Sequence, residues 1–411
     1  MNDTILNIIN RQSVIKEKEK KKRGEVFTPI SLIYQVLEQL PKNVWLNKNL
    51  KWLDPANGIG NFPIIIYYKL MQSLKSIITN DSKRSKHIIE KMLFMIELNK
   101  KNCSICKNIF HQIDPYASAN ITTSDFLNPN ITNIYDIIIG NPPYQKKVGN
   151  TKYHRIWDKF VIKAIQLNLK KNGYLVFIHP GSWRDIKGNY RAVFNLIMDR
   201  DLQYLTMRNY KDGRLIFQGT ATSYDYYCMK NTMTTINKTH INDIDKTPHY
   251  INLNSFQFIP GGQFKMFKKL SSSKKKVNIL YSSSMYETRK PYISIKKDTK
   301  YKYPVIYTVL KKEVKLRYSS IKKGMFGVPK VIWSNGTSTR PIIDKTGKFG
   351  LTQFSYAIQD TPDKLLYIQN AMNDEKFIKL MNYVKFRGDK YNYKIIGSFR
   401  KNFWTFFNYK K

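Results

Sequence analysis

The apolar run Tyr135-Asp-Ile-Ile-Ile-Gly140 leads directly into Asn141-Pro142-Pro143-Tyr144. Two consecutive prolines have no amide hydrogen to give a ladder and fix their own φ, so a strand over 135–140 has to end there. A buried strand thereby delivers a side-chain amide, a carbonyl and a phenol ring to one place. Such a cluster suits a planar amino group: Asn141 Oδ1 and the Pro142 carbonyl accept its two hydrogens, and Tyr144 stacks on the attached ring. Asn-Pro and Pro-Pro are also ordinary turn punctuation, so the tetrapeptide takes its meaning from what precedes it.

Upstream, Lys51-Trp-Leu-Asp54 reads as a short buried strand, followed by Pro55-Ala-Asn57-Gly58-Ile-Gly60 and an apolar helical stretch from Asn61 to about Ser73. Gly58 and Gly60 allow close backbone approach to a ligand, and the helix that follows offers free amides. A second run, Met92 to Ile96, ends in Glu97, and Ala119 to Ser124 ends in Asp125-Phe126. In open α/β sheets ligands bind beyond the carboxyl ends of the strands, so Asp54, Glu97, Asp125 and Asn141 are expected to line one crevice. Glu97 lies further from the glycine turn than the usual ribose-binding acid, and the polar stretch from Thr79 to His87 reads as a surface insertion that accounts for the distance. Strands are expected near 50–54, 91–97, 119–124, 135–140, 173–179, 202–208 and 222–229, with helices between them. That alternation predicts an α/β, doubly wound, seven-stranded Rossmann-like sheet.

With these motifs in order, Arg23-Gly-Glu-Val-Phe27-Thr28-Pro29, DPANGIG at 54–60, Glu97, Ser124-Asp125-Phe126 and NPPY at 141–144, residues 23 to about 230 resemble the amino-methylating DNA methyltransferases. Within these they resemble the gamma-class N6-adenine enzymes of type II restriction-modification systems. That family usually has Cys and Ser where this chain has Asn57 and Ile59. The resemblance implies S-adenosylmethionine as cofactor, with Phe27, Thr28 and Pro29 against its methionine part and Asp54, Pro55, Asn57, Gly58 and Gly60 beneath it. It further implies Glu97 on the ribose, Asp125 and Phe126 on the adenine ring, and Asn141, Pro142, Pro143 and Tyr144 as the catalytic set. The implied reaction is site-specific methylation of the N6 amino group of an adenine flipped out of duplex DNA. Phe217, in the stretch Asp212 to Gly219 read as a loop, is the candidate for the second stacking face; the same residue also reads as core beneath the last strand. His154 and His179 are read as structural.

The chain of 411 residues carries 70 basic and 29 acidic residues, a formal net charge of +41, which points to a polyanionic partner. Residues 1–24 read as a basic arm, 25–235 as the catalytic domain, and 250–411 as a second basic, β-rich or mixed domain for target recognition. Arg340, Lys345 and Lys348 are its candidate DNA contacts. Duplex DNA is the expected partner, alongside a separate cognate restriction endonuclease; a monomer is expected, and no fused nuclease, because about 25 residues precede the first motif. Three cysteines argue for a reducing compartment, and the Cys103/Cys106 pair has no second pair to complete a zinc site, so no metal is expected. Without a run of about 18 apolar residues or a secretory leader, a cytoplasmic protein is expected, in a bacterium or inside a host cell. RNA base methylation, glutamine methylation of a protein and non-catalytic DNA binding are the alternatives; the last two leave either the basic C-terminal region or the full acid set unexplained.

Overall fold

The computed structural model describes residues 28–149, 152–185, 190–217, 222–236, 238–336, 340–386 and 392–407. The chain divides into two compact units, Met1–Trp183 with Gly188–Ser255, and Arg184–Lys187 with Phe256–Lys411.

In the first unit the strands are β1 (Trp52–Asp54), β2 (Leu93–Glu97), β3 (Asn120–Thr123), β4 (Tyr135–Gly140), β5 (Gln145–Val148), β6 (Lys152–Arg155), β7 (Leu169–Pro180), β8 (Arg200–Arg208), β9 (Tyr224–Met233), β10 (Lys238–Asn242) and β11 (Pro248–Asn252). Nine of them form one sheet in the order β11-β10-β8-β9-β7-β4-β1-β2-β3, while β5 and β6 make a separate hairpin. All seven expected strands are present, and β10 and β11 extend the sheet beyond them. Pairing is parallel from β3 through β7, and β9 runs antiparallel between β7 and β8. Because β1 has β2 on one side and β4 on the other, the direction of winding reverses between β1 and β4. A crevice opens at such a switch point, beyond the carboxyl ends of the strands, and Asp54 and Asn141 sit at those two ends.

Local sequence explains the turn at this crevice. Gly60 has φ 98°, a left-handed conformation costly for other residues, and a Cβ there would stand 2.6 Å from Cys106 Sγ. The helix Asn61–Ser73 starts immediately after it, tolerating Pro63 in its first turn and burying Ile64, Ile65 and Ile66 together. That helix, with Ile30–Leu37 and the buried faces of β1, β4, β7 and β9, forms the core of the unit. The stretch from Thr79 to His87, read as an insertion, carries the helix Asp81–His87, with Asn80 Oδ1 accepting from Lys83 N.

The second unit is mixed. Its strands β12 (Asn278–Leu280), β13 (Ile293–Ser294), β14 (Tyr303–Val309), β15 (Val314–Ser319), β16 (Lys330–Ser334), β17 (Ile342–Asp344), β18 (Gly350–Leu351) and β19 (Ser355–Gln359) form two four-stranded sheets, β12-β19-β16-β17 and β13-β15-β14-β18. The helices Leu365–Asn373 and Glu375–Asn382 bury Leu365, Ile368, Phe377 and Leu380 in one aromatic-rich core with Trp333 of β16. Among the described residues no helix is long and apolar enough to cross a membrane.

Candidate active site

A cavity of about 710 Å³ opens at the carboxyl ends of β1, β2 and β4. Each strand contributes the residue expected of it. From β1 and its turn come Asp54, Pro55, Asn57 and Gly58; from β2, Glu97; after β3, Asp125 and Phe126; after β4, Asn141 to Tyr144; and Thr28 closes the ring. Pro29, Gly60 and Phe217 do not line it, and Phe27 lies outside the described residues.

Glu97 ties two chain segments together. Its Oε2 accepts from Gly58 N at 2.9 Å and its Oε1 from Asn99 N at 2.8 Å, so the glycine turn is held against the end of β2 by a carboxylate that accepts hydrogen bonds from both. Asn57 N donates to Ile96 O at 3.2 Å, which fixes the same turn from its other side. Asp125 Oδ1 accepts from Leu127 N at 2.9 Å, and its Oδ2 stands 3.7 Å from Lys146 Nζ. Phe126 is buried against Phe160, centroids 5.3 Å apart, making the apolar wall of this end. Residues on the hairpin β5–β6 and the following segment, Lys146, Lys147, Tyr153, Ile156 and Phe160, also line the cavity. They follow no motif in the sequence, and only the topology brings them here.

Asp54 is the most perturbed acid of the set. It is 4 % exposed, and burial pushes its carboxyl up to about 8; the Ala56 amide, donating to Oδ1 at 3.1 Å, opposes this, and the nearby Glu97 charge adds to it. Gly140, at the end of β4, is where any Cβ would meet Asp54 Oδ1 at 2.7 Å, so the β1 acid and the NPPY segment adjoin because residue 140 has no side chain.

Asn141 Nδ2 donates to Thr28 Oγ1 at 3.1 Å, and Asn141 Oδ1 is buried without a hydrogen-bond partner. The Tyr144 hydroxyl is likewise buried and unpartnered, and burial raises its pKa, with Tyr224 and Asp225 contributing. Phe217 is 2 % exposed, within the core, and meets the Tyr144 ring edge-on at 6.4 Å and Tyr224 at 5.0 Å. It stands beside Tyr144, away from the cavity lining. Of the stretch Asp212 to Gly219 read as a loop, residues 212–216 belong to the helix Tyr210–Ile216, which opens on a capping box between Asn209 and Asp212; Phe217 is its C-cap, and 218–219 lie outside the described residues.

His179 is fully buried, stacked on Trp157 at 4.4 Å with Nε2 3.2 Å from the Tyr227 hydroxyl, and burial lowers its pKa to about 3. A ring so placed is neutral at ordinary pH and packs the sheet. Arg340, Lys345 and Lys348 lie in the second unit, all exposed.

Residues 38–213 match the family model described as Eco57I restriction-modification methylase. An uncharacterized adenine-specific methylase of Mycoplasma pneumoniae is 26% identical over 250 residues, covering 42% of this chain and 58% of that one. The Type II methyltransferase M.AccI of Acinetobacter calcoaceticus is 28% identical over 163 residues, 38% of this chain and 23% of the other. The chain therefore spans less than two thirds of the length of either relative. Among solved structures, the type IIG restriction endonuclease BpuSI shares the fold, with a TM-score of 0.50 at 9% identity, covering 94% of this chain and 60% of that chain. Over residues 38–213 the chain is thus similar to the Eco57I restriction-modification methylases.

Proposed function

We propose that this protein methylates the N6 amino group of adenine in duplex DNA at a defined sequence, with S-adenosylmethionine as donor, as the modification enzyme of a restriction-modification system or a solitary methylase. One observation carries the reading: Asn141 Oδ1 is a buried acceptor with no partner, beside a tyrosine ring, in the same cavity as Glu97 and Asp125. Two ligands fit such a cavity, one held by acids, the other by an amide and a ring.

The fit to the cofactor rests on the donor set. Glu97 brings a carboxylate into the cavity wall, the group suited to ribose hydroxyls, and Asp125 with Phe126 offers an acceptor beside an apolar face, suited to an adenine. Pro55, Asn57, Gly58 and Thr28 would border the methionine part, with Pro29 next to Thr28 in the chain. When bound, S-adenosylmethionine supplies an already activated methyl group.

The protein's own task is then to prepare the nitrogen. The exocyclic amine of adenine is conjugated with its ring. Asn141 Oδ1 and the Pro142 carbonyl draw its two hydrogens and concentrate the lone pair on nitrogen, while Pro143 stiffens the segment and Tyr144 holds the base plane. As the N–C bond formed, the donor's S–CH3 bond would break to leave a neutral thioether, and the now cationic nitrogen would release its proton to solvent without a dedicated base. The base reaches the cavity only by leaving the duplex stack. The charge of +41 supports a polyanionic substrate, and Arg340, Lys345 and Lys348 are proposed phosphate contacts.

The test is methyl transfer from tritiated S-adenosylmethionine to duplex DNA, RNA and protein extracts in parallel, followed by modification-aware sequencing of the DNA. Label in DNA as N6-methyladenine at one recurring sequence is expected. Label confined to RNA or protein would overturn the reading.

A further inference from the structure

The hairpin β5–β6 follows Tyr144 without a break, and residues 145–148 and 153–155 are all exposed. A two-stranded hairpin that buries so little is marginal by itself in water. This one is held at its base: Ile156 N donates to Tyr144 O at 3.2 Å, and the Arg155 guanidinium lies over the Tyr190 ring at 4.7 Å. Residues 145–156 include Lys146, Lys147, Lys152 and Arg155 and no acid, and Lys146, Lys147 and Tyr153 line the cavity. Its counter-charge comes from another strand end, where Lys146 Nζ stands 3.7 Å from Asp125 Oδ2. The two side chains are 56 % and 37 % exposed, so water screens the pair and it is easily exchanged. Asp125 Oδ1 accepts from Leu127 N, so a ligand amine is offered chiefly Oδ2, the oxygen that Lys146 faces.

We propose that the hairpin β5–β6 receives the phosphodiester strand carrying the target nucleotide, and that Lys146 pairs with Asp125 until the cofactor takes that acid, then passes to a phosphate. Charge complementarity selects the partner: a strand pair with several cations and no acid fits a polyanion. Chain connectivity selects the place. A nucleotide's phosphate is joined to its base through one sugar, and Lys146 lies two residues after the ring proposed to stack that base. One cation thereby serves two ligands in turn. With its carboxylate taken by an adenine amino group, the ammonium is released to the DNA, so cofactor and DNA favour each other's binding, and the coupling is reciprocal. This deepens the proposed function and rests on it for the cofactor and the DNA.

The experiment titrates the full-length protein into a fluorescein-labelled duplex bearing the sequence found by modification-aware sequencing, at several salt concentrations, with and without saturating S-adenosylhomocysteine. Calorimetry gives the affinity for S-adenosylhomocysteine without DNA. In the wild type, S-adenosylhomocysteine is expected to tighten DNA binding about 3- to 5-fold and to steepen the slope of log affinity against log salt by about 0.9, one added phosphate contact. Lys146→Gln should abolish both effects while binding S-adenosylhomocysteine without DNA at least as tightly as wild type, because a competitor for Asp125 is gone. Lys147→Gln, which removes a charge from the same strand, should weaken DNA binding and keep both effects. Weaker binding of S-adenosylhomocysteine by Lys146→Gln without DNA would make the ion pair a fixed prop for Asp125 and overturn the exchange. Coupling retained in Lys146→Gln, or lost equally in Lys147→Gln, overturns it too. Failure of the wild type to bind S-adenosylhomocysteine or the duplex instead overturns the proposed function, and this surface with it.

Discussion

Two groups of buried polar side chains, one in each unit, are treated in opposite ways. In the second, Lys330 of β16 is fully buried, and its ammonium meets Asp344 Oδ2 at 2.8 Å, Met325 O at 2.8 Å and Val328 O at 3.2 Å. Asp344 in turn accepts from Lys348 N at 2.8 Å and Phe349 N at 3.0 Å. Three donors find three acceptors, and the carboxylate is filled by backbone amides. In the first unit, Asn57, Asn61 and Asn141 each present a buried oxygen to one cavity with no partner. Unpartnered buried atoms such as Trp52 Nε1, Trp333 Nε1 and Arg400 Nε occur elsewhere, but none of these lines that cavity. Saturation marks architecture, and clustered unsaturation marks a place kept for a ligand.

The largest expected effects test both sides of that contrast. On the proposed function, Asn141→Ala removes an acceptor that would be used only with substrate in place, so turnover should fall about 10²- to 10³-fold in single-turnover assays, as for loss of one preorganised hydrogen-bonding group. Affinity for S-adenosylhomocysteine should change little. Lys330→Met should cost about 3–5 kcal/mol in urea unfolding of the second unit, because Asp344 is left buried and charged. The double variant Lys330→Met, Asp344→Leu should recover much of that loss. Equal instability in the double variant would mean that the pair does more than neutralise itself.

Asp54 lies between these cases, a buried acid in the cavity wall that has the Ala56 amide and, among the described residues, no cation to balance it. With its carboxyl at 3.8 unfolded and about 8 folded, the folded state holds the extra proton between those values, so this stability is present below about pH 4 and lost as pH rises to about 8. Asp54→Asn should therefore leave the melting temperature unchanged near pH 4 and raise it increasingly toward pH 8, while weakening cofactor binding. The acid facing Asp54 is Glu97, which Asp54→Asn leaves in place. His179 has the opposite sign: its pKa falls from 6.5 to about 3, so its contribution is present above 6.5 and lost as pH falls. A flat difference in melting temperature between wild type and Asp54→Asn across pH 4–8 would remove Asp54 from the account.

What the sequence shows of all this follows from how strongly each element is constrained. Strand ends that carry Asp54, Glu97, Asp125 and Asn141 are legible because a central parallel strand is apolar until its last residue, and the break is visible. Strands β10 and β11 are not, because β11 is an edge and in β10 only Thr239 and Ile241 are buried, alternating with Lys238 and His240, so 231–250 reads as a polar boundary between domains. The helix Tyr210–Ile216 buries only Gly213 and has no apolar stripe; its signal is the Asn209/Asp212 cap. Phe217 is a ring with two equally good readings in sequence, and only the fold shows it buried beside Tyr144. Asn61 is visible as a residue after a glycine, but the orientation of its amide depends on Thr28, 33 positions earlier.

The smallest effect is expected at Tyr144, where ring and hydroxyl separate. The hydroxyl is buried without a partner, so Tyr144→Phe removes an unsatisfied group and should raise stability by up to about 1 kcal/mol, with turnover within a few-fold of wild type. Tyr144→Ala removes the ring face, and loss of one base-stacking contact, about 1–3 kcal/mol, should slow turnover or weaken DNA binding by about 10- to 100-fold. The edge-on contact with Phe217 gives a further readout: Phe217→Leu keeps the core filled but frees the Tyr144 ring to turn, so it should reproduce a fraction of the Tyr144→Ala defect at nearly normal stability. If Tyr144→Phe proves as slow as Tyr144→Ala, the orphaned hydroxyl belongs with the three amide oxygens as a group kept for the substrate, and the contrast between the units grows by one atom.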